Sequence, residues 1–400
     1  MNAKGIKEEP YDDEAREIDL EEFKSHLEKI AHPIQDPRAK DNQKHSLFTL
    51  LAIIFCAIVG GANSISAIYR YASSKRKWLM TWLDLRDDVP SYDTFWWLLV
   101  RLDPSQTEML FRQWSATLSK NEIEDLIAID GKRVRGASNK KTQPSSLLHM
   151  VSAWSSGRGL VLGQVKTETK SNEITAIPEL IQGIDIKGAT ITIDAMGCQK
   201  EIARIVIEKE ANYVLMVKEN QPTLFDEMQN YFEQAESLKF EGVPHSSFVK
   251  EEEGHGRQER REVYVTDDID WLPMREEWIG LKIRVMLKSF RSVKGITSEE
   301  RRYYISSLPP LAERIARAAR SHWGVENKVH WVLDVDFHED LSQISTGHAA
   351  ENFSILRRLT LNIIRLDPDK KKSLRGRREI AGWDNDYMAY LLGLAAIKKF

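Results

Sequence analysis

Two aspartates close short apolar runs: Asp130 follows Leu126-Ile-Ala-Ile129, and Asp194 follows Ile191-Thr-Ile193. Such runs read as buried strands. A carboxylate at the end of a buried strand is partly desolvated, which disfavours its charge unless something compensates. On neighbouring strands the two would repel each other, and a divalent cation with oxygen ligands would relieve both penalties. Taken singly, each aspartate is also an ordinary cap or turn former. A third acid lies far along the chain. Glu326 has His322 four residues before it and His330 four after, and Asp334 extends the stripe. On a helix these side chains share one face, although Gly324 costs that helix about 1 kcal/mol. Two chemistries are open. Glu326 joins Asp130 and Asp194 around two metal ions, with the imidazoles orienting phosphate; or His322, Glu326 and His330 bind zinc directly, at a spacing unlike the His-Glu-x-x-His of zinc proteases. Standing alone, the stripe is also a surface helix with polar i,i+4 pairs.

The elements that must position these acids follow from periodicity. Apolar residues at Leu47, Leu50, Leu51, Ile54 and Ile58 predict a helix that ends at Gly60-Gly61. Ser64 caps the next helix, 65–72, and Pro90-Ser91 opens another over 92–101. The character changes at Ile123. Strands are predicted over 125–130, 147–154 and 161–167, the last two joined by a hairpin turn at 155–159. A helix over 172–183 follows, with Pro178 inside it, then a strand at 189–194, a helix at 200–209 and a strand at 212–217. The order β-β-β-α-β-α-β indicates a mixed sheet with helices on its faces. After a helix over 223–235, residues 240–308 look strand-rich, with strands at 260–265, 281–290 and 302–306. Helical periodicity returns over 311–330 and 349–365. Six cations fall within 370–378.

The chain has 400 residues, with 57 Lys+Arg against 60 Asp+Glu, a net charge of −3. Near-neutrality excludes a uniformly basic nucleic-acid binder but not local basic faces. At 42% hydrophobic and 29% charged, the composition excludes a disordered chain. Two cysteines, Cys56 and Cys198, exclude a disulfide scaffold. Residues 1–20 are polar and acidic rather than leader-like. The thirteen residues 47–59 fall short of the roughly 20 that span a bilayer. A soluble, cytoplasmic protein is expected.

The motifs Ala128-Ile-Asp-Gly-Lys-Arg133, Lys170-Ser-Asn-Glu-Ile-Thr-Ala-Ile-Pro-Glu-Leu180, Thr192-Ile-Asp-Ala-Met-Gly-Cys-Gln199, Lys218-Glu-Asn-Gln221, Gly254-His-Gly-Arg257, Tyr303-Tyr-Ile-Ser-Ser307 and His322-Trp-Gly-Val-Glu-Asn327, running on to Glu339-Asp340, occur together. With them the chain, from about residue 32 onward, resembles the bacterial insertion-sequence transposases of the H-repeat-associated type, in the DDE group. The resemblance implies an α/β fold: an RNase H-like mixed sheet flanked by helices, with an N-terminal helical domain and a strand-rich insertion. It divides the chain into an acidic segment (1–30), a helical DNA-binding-associated domain (31–120), a catalytic core (121–226 and 311–366), the insertion (227–310) and a basic tail with a helix (367–400). It implies that Asp130, Asp194 and Glu326 hold two Mg²⁺ ions, Mn²⁺ substituting. The partners it implies are the double-stranded DNA of element ends and target, and a second copy of the chain in a synaptic dimer. The reaction it implies is strand cleavage and transfer. A noncatalytic DNA-binding copy and a nuclease that cuts without joining are the alternatives. Members of the wider group often carry Tyr, Arg and Lys around the glutamate; Ala319, His322 and Leu333 stand there, which gives His322 the grip on phosphate. Closer relatives commonly carry two arginines where this chain has Gln343 and Ser345, so two phosphate contacts are lost.

DNA contacts are expected from Lys132, Arg133 and Arg135 beside Asp130, and from Lys218 and Asn220 (with Gln221) after the 212–217 strand. His255 and Arg257 in a Gly-rich turn, His322 and His330 complete the set. The run at 370–378 is either a nonspecific DNA contact or a solvated segment. Trp323 and Trp331 are the candidates for base stacking.

Overall fold

The computed structural model describes residues 20–40, 43–86, 88–118, 124–135, 148–167, 173–254, 256–270, 272 and 274–396. Helices come first: α1 (Leu20–Ala31), α2 (Leu47–Val59), α3 (Ile65–Ser74), the short α4 (Arg76–Leu79), α5 (Tyr92–Arg101) and α6 (Pro104–Leu118). Their starts follow side-chain caps. The hydroxyls of Ser46, Ser64 and Ser91 accept from the backbone N–H of Thr49, Ala67 and Thr94. Apolar on nearly every side, α2 is buried along almost its whole length. Among the described residues no helix is long and apolar enough to cross a membrane.

A meander of β1 (Leu126–Val134), β2 (Leu148–Ser155) and β3 (Leu160–Thr167) leads into α7 (Glu173–Gln182), β4 (Thr190–Ile193), α8 (Lys200–Glu208), β5 (Asn212–Val217) and α9 (Pro222–Ser237). Four long strands follow: β6 (Ser246–Gly254), β7 (Arg257–Thr266), β8 (Ile283–Val293) and β9 (Ile296–Ser306). All nine form one sheet in the order β3-β2-β1-β4-β5-β9-β8-β7-β6. β1, β4 and β5 are parallel, and every other pairing is antiparallel. The strand-rich stretch therefore continues the sheet, with β9 paired to β5. It contains β6, a strand that the sequence does not signal.

The chain then returns as α10 (Ala312–Val325), a π-helical turn (Glu326–His330), α11 (Trp331–Val335), α12 (Ala349–Arg365), α13 (Leu374–Trp383) and α14 (Asn385–Ala396). One sheet face packs Ile127, Ile129, Ile191 and Ile193 against α7 and α8. The other packs Ala128, Met150 and Trp154 against the N-terminal helices, α12 and α14. The alternation along β1 thus decides which way Asp130 points.

The basic run at 370–378 is only partly a solvated segment. Arg377 and Arg378 are buried, and both are spent on backbone carbonyls. Arg378 donates to Ile58 O (3.0 Å), at the C-terminal end of α2, where carbonyls lack helical partners.

Candidate active site

Parallel pairing of β1 with β4 sets Ile129 beside Ile193. The next residues on the two strands, Asp130 and Asp194, are therefore side by side. Two residues before them, Ala128 and Thr192 are also paired, on the face opposite Ile127 and Ile191. Side chains alternate, so both aspartates point to that face. α10 crosses there, over β1, β4 and β5. Asp194 also caps a 3₁₀ turn, its Oδ1 accepting from Met196 N (3.1 Å) and Gly197 N (3.4 Å).

Electrostatics shows the crowding. Burial pushes the Asp130 carboxyl up to about 7, and the charges of Asp194, Glu173 and Glu326 push the same way against one backbone N–H at Gly131. A divalent cation beside Asp130 would reverse that penalty. Among the described residues, no three His, Cys, Asp or Glu side chains are placed so that together they could hold a metal ion. The zinc reading of the histidine stripe is not retained, because the two imidazoles are committed to different strands. His322 Nδ1 lies 3.2 Å from Thr192 Oγ1, and His330 Nδ1 lies 3.5 Å from Asp130 Oδ2.

The π-turn at Glu326–His330 interrupts the expected continuous helix. Glu326 stays exposed while His330 is buried. Burial, then the cations Arg358 and Lys132, hold the His330 imidazole down at about 3, so it is neutral at neutral pH. His322 is also lowered, first by burial.

Lys132 is not free for phosphate. Its Nζ is buried among Asp334 (2.7 Å), Asp340 (3.0 Å) and Glu339 (3.6 Å). Glu339, fully buried, also pairs with Arg358 Nη1 (2.9 Å) and accepts from Ser354 Oγ (2.9 Å). Burial alone would raise its carboxyl, but Arg358, Lys132 and Arg357 outweigh that and hold it at about 2. This ion network ties β1, next to Asp130, to the segment after Glu326. Sequence reasoning missed its role; Glu339-Asp340 is visible as a motif, but Lys132 lies some 200 residues away and Arg358 on a later helix, 19 residues on. Glu173 was missed as well. It is buried with Oε1 2.5 Å from His149 Nε2, beneath Gly131.

The remaining predicted contacts separate. Arg133 and Lys218 are exposed. Arg135, also exposed, has Nε 3.6 Å from Asp340. Asn220 Nδ2 donates to Ala195 O (2.6 Å) and Gln221 Nε2 to Cys198 O (2.9 Å), so both brace the loop after Asp194. Arg257 pairs with Glu259 (3.0 Å) at the β6–β7 hairpin. His255 lies outside the described residues. Gln343 and Ser345 border a cavity of about 430 Å³ with Ser64, Tyr92 and Trp96. Trp323 and Trp331 are 38% and 58% exposed, which suits contact with a ligand better than core packing.

Residues 122–363 match the family described as transposase DDE domain, and residues 27–115 match the DDE_Tnp_1-associated family. The chain is 38% identical over 377 residues to "H repeat-associated putative transposase YhhI" of Escherichia coli K12, covering 93% of this chain and 98% of that protein. It is also 38% identical over 364 residues to "Putative transposase YncI" of Escherichia coli O157:H7, covering 90% and 92%. Among solved structures, a piggyBac transposase synaptic complex with hairpin DNA aligns with a TM-score of 0.44 at 12% identity, over 94% of this chain and 79% of that one. That likeness is too distant to carry an argument about the fold. The family matches and the two full-length relatives suffice: the chain belongs to the DDE transposases, in the H-repeat-associated type of bacterial insertion sequence.

Proposed function

We propose that the protein cuts and joins DNA strands at the ends of its element, using divalent cations held by Asp130, Asp194 and Glu326. The observation that carries this reading is the β1–β4 register, which sets two carboxylates side by side on the face crossed by the glutamate's helix. The β3-β2-β1-β4-β5 order, antiparallel then parallel, supports an RNase H-like core. Mg²⁺ is the natural occupant of an all-oxygen site facing phosphate, with Mn²⁺ substituting. Bound there, paired ions stabilise both the entering and the leaving oxygen of an in-line displacement at phosphorus.

The protein's own groups do the rest. Asp130 and Asp194 are fixed by their strands, and Glu326 approaches from the helix above. Neutral His330 sits against Asp130 without adding a charge, and His322 is held by Thr192. Exposed Arg133 and Lys218 supply contacts to the phosphate backbone. In the first step a water oxygen forms a bond to phosphorus and the 3′ oxygen leaves with a proton. In the second that 3′-OH attacks a target phosphodiester, expelling the target's own 3′ oxygen. The numbers of phosphodiester bonds formed and broken in the second step are equal, so no external energy source is needed. Action on DNA fits a cytoplasmic location, and a synaptic pair of ends calls for two copies.

The test is incubation with Mg²⁺ or Mn²⁺, a duplex carrying the element's terminal repeat, and a supercoiled target. Nicked ends and joined product are expected. Nicking without joining would make the protein a nuclease, and a bound but uncut duplex would make it a noncatalytic binder.

A further inference from the structure

We propose that a cavity of about 510 Å³ on the far side of the glutamate's helix, walled by Trp154 and Trp323 and lined by Arg320, Lys328 and Arg365, is a second seat for the DNA backbone, taking a phosphate close to the one being cut. The proposal rests on the reading that the chain acts on DNA, and it names a site which that reading did not include.

No Asp or Glu lines this cavity, although acidic residues outnumber basic ones in the chain. Arg158, at its rim, is already paired with Asp125 (3.3 Å). For Arg320, Lys328 and Arg365 no carboxylate partner exists among the described residues. Arg320 and Lys328 are exposed. Arg365 is held in place: its guanidinium stacks 4.4 Å from the Trp154 ring and donates to Lys328 O, while its Nη1 is buried with no partner among the described residues. A guanidinium fixed by an aromatic ring, with one donor unspent, is prepared for an anion, and phosphate is the anion for which Arg is best suited. Burial alone lowers Arg365, to about 9, which leaves it charged at neutral pH.

Position supports the assignment. Gly324, Asn327 and Lys328 face the cavity from the same two turns that carry His322, Glu326 and His330 to the sheet. Gly324 lies against the Trp154 wall of the cavity, where a Cβ would make an ordinary contact 3.4 Å from Trp154 Nε1. One helix diameter, roughly 10 Å, separates the two sides. That is the span of one or two nucleotides of backbone. Trp323, 38% exposed on the cavity wall, offers a ring to an adjoining sugar or base.

The experiment measures the affinity of full-length protein for a fluorescein-labelled terminal-repeat duplex in EDTA, where cleavage cannot contribute. The variants are Lys328→Gln, Arg320→Gln and Arg365→Gln, with Lys187→Gln as a remote control and Arg365→Lys retaining charge. Each of the first three should bind roughly ten-fold more weakly and lower the slope of log affinity against log salt by about 0.9. Single methylphosphonates placed within three nucleotides of the cut should weaken wild type at one position and leave Lys328→Gln indifferent there. Because Lys328 and Arg320 are exposed, loss of folding cannot mimic that pattern. Should wild type bind and cut while Lys328→Gln and Arg320→Gln keep its slope and its phosphate sensitivity, the cavity is not a phosphate seat and the functional reading survives. Wild-type protein that neither binds nor cuts overturns both.

Discussion

Glu339→Gln should destabilise the protein more than any surface change, because among the described residues it removes the one anion that the buried Arg358 contacts. Glu339 and Arg358 are both fully buried, 2.9 Å apart, and among the described residues Arg358 Nη2 has no partner even in the intact network. Lys132 would keep Asp334 and Asp340, so the cost falls on Arg358. Breaking a buried pair from one side costs about 3–5 kcal/mol. Proton linkage gives a similar size: holding the carboxyl at about 2 instead of its ordinary 4.5 corresponds to about 3 kcal/mol. The sign follows from the lowered value. The folded protein favours the ionised form, so the contribution is complete above pH 4.5 and is lost as pH falls toward 2. Urea denaturation at pH 7.5 should show a gap of about 3–5 kcal/mol between wild type and variant. The gap should narrow steadily below pH 4.5. A difference under about 1 kcal/mol at pH 7.5, or a gap that does not change with acid, would refute the claim that this network fastens β1 to the segment after Glu326.

Two further substitutions probe the scaffold. Asn362 on α12 is buried and pairs with both the N–H (2.9 Å) and the C=O (2.8 Å) of Val161 on the edge strand β3, so Asn362→Leu leaves both unsatisfied. It should cost about 2–5 kcal/mol by denaturation, and a loss below 1 kcal/mol would show that water replaces the amide. At Gly131 a Cβ would meet Glu173 Oε1 at 2.3 Å and His149 Nε2 at 2.7 Å. Gly131→Ala should therefore cost about 1–3 kcal/mol by overpacking and slow cleavage through the neighbouring Asp130, with DNA affinity kept; unchanged kinetics would sever that link.

Local signals carried much of the architecture. The apolar runs before Asp130 and Asp194 are strands because they are buried on both faces, and β1–β5 follow in the expected order. The caps at Ser64 and Ser91 were equally legible. β6 was not: Ser246–Gly254 is rich in Glu and lies at the sheet edge with little of it buried, so no alternation marks it. Cross-strand pairs such as Arg261 with Glu252 hold it instead, and pairing partners are invisible to a local reading. Lys132 misled for a related reason. Its place beside Asp130 suggested phosphate, but its charge is consumed by Asp334, Glu339 and Asp340, which only the fold brings near. Arg377 and Arg378 likewise read as nonspecific DNA contacts or solvated charge, yet they serve helix ends. The π-turn at Glu326 was also hidden, since i,i+4 spacing assumes an unbroken α-helix.

The central claim is that Asp130, Asp194 and Glu326 act as one unit. The direct measurement is the cleavage rate of a labelled terminal-repeat duplex in Mg²⁺ by wild type, Asp194→Asn and Glu326→Gln, with DNA affinity determined alongside. Each variant should lose roughly a hundred-fold or more in rate while binding DNA within a few-fold of wild type. A Glu326→Gln protein that cuts as fast as wild type would contradict the account.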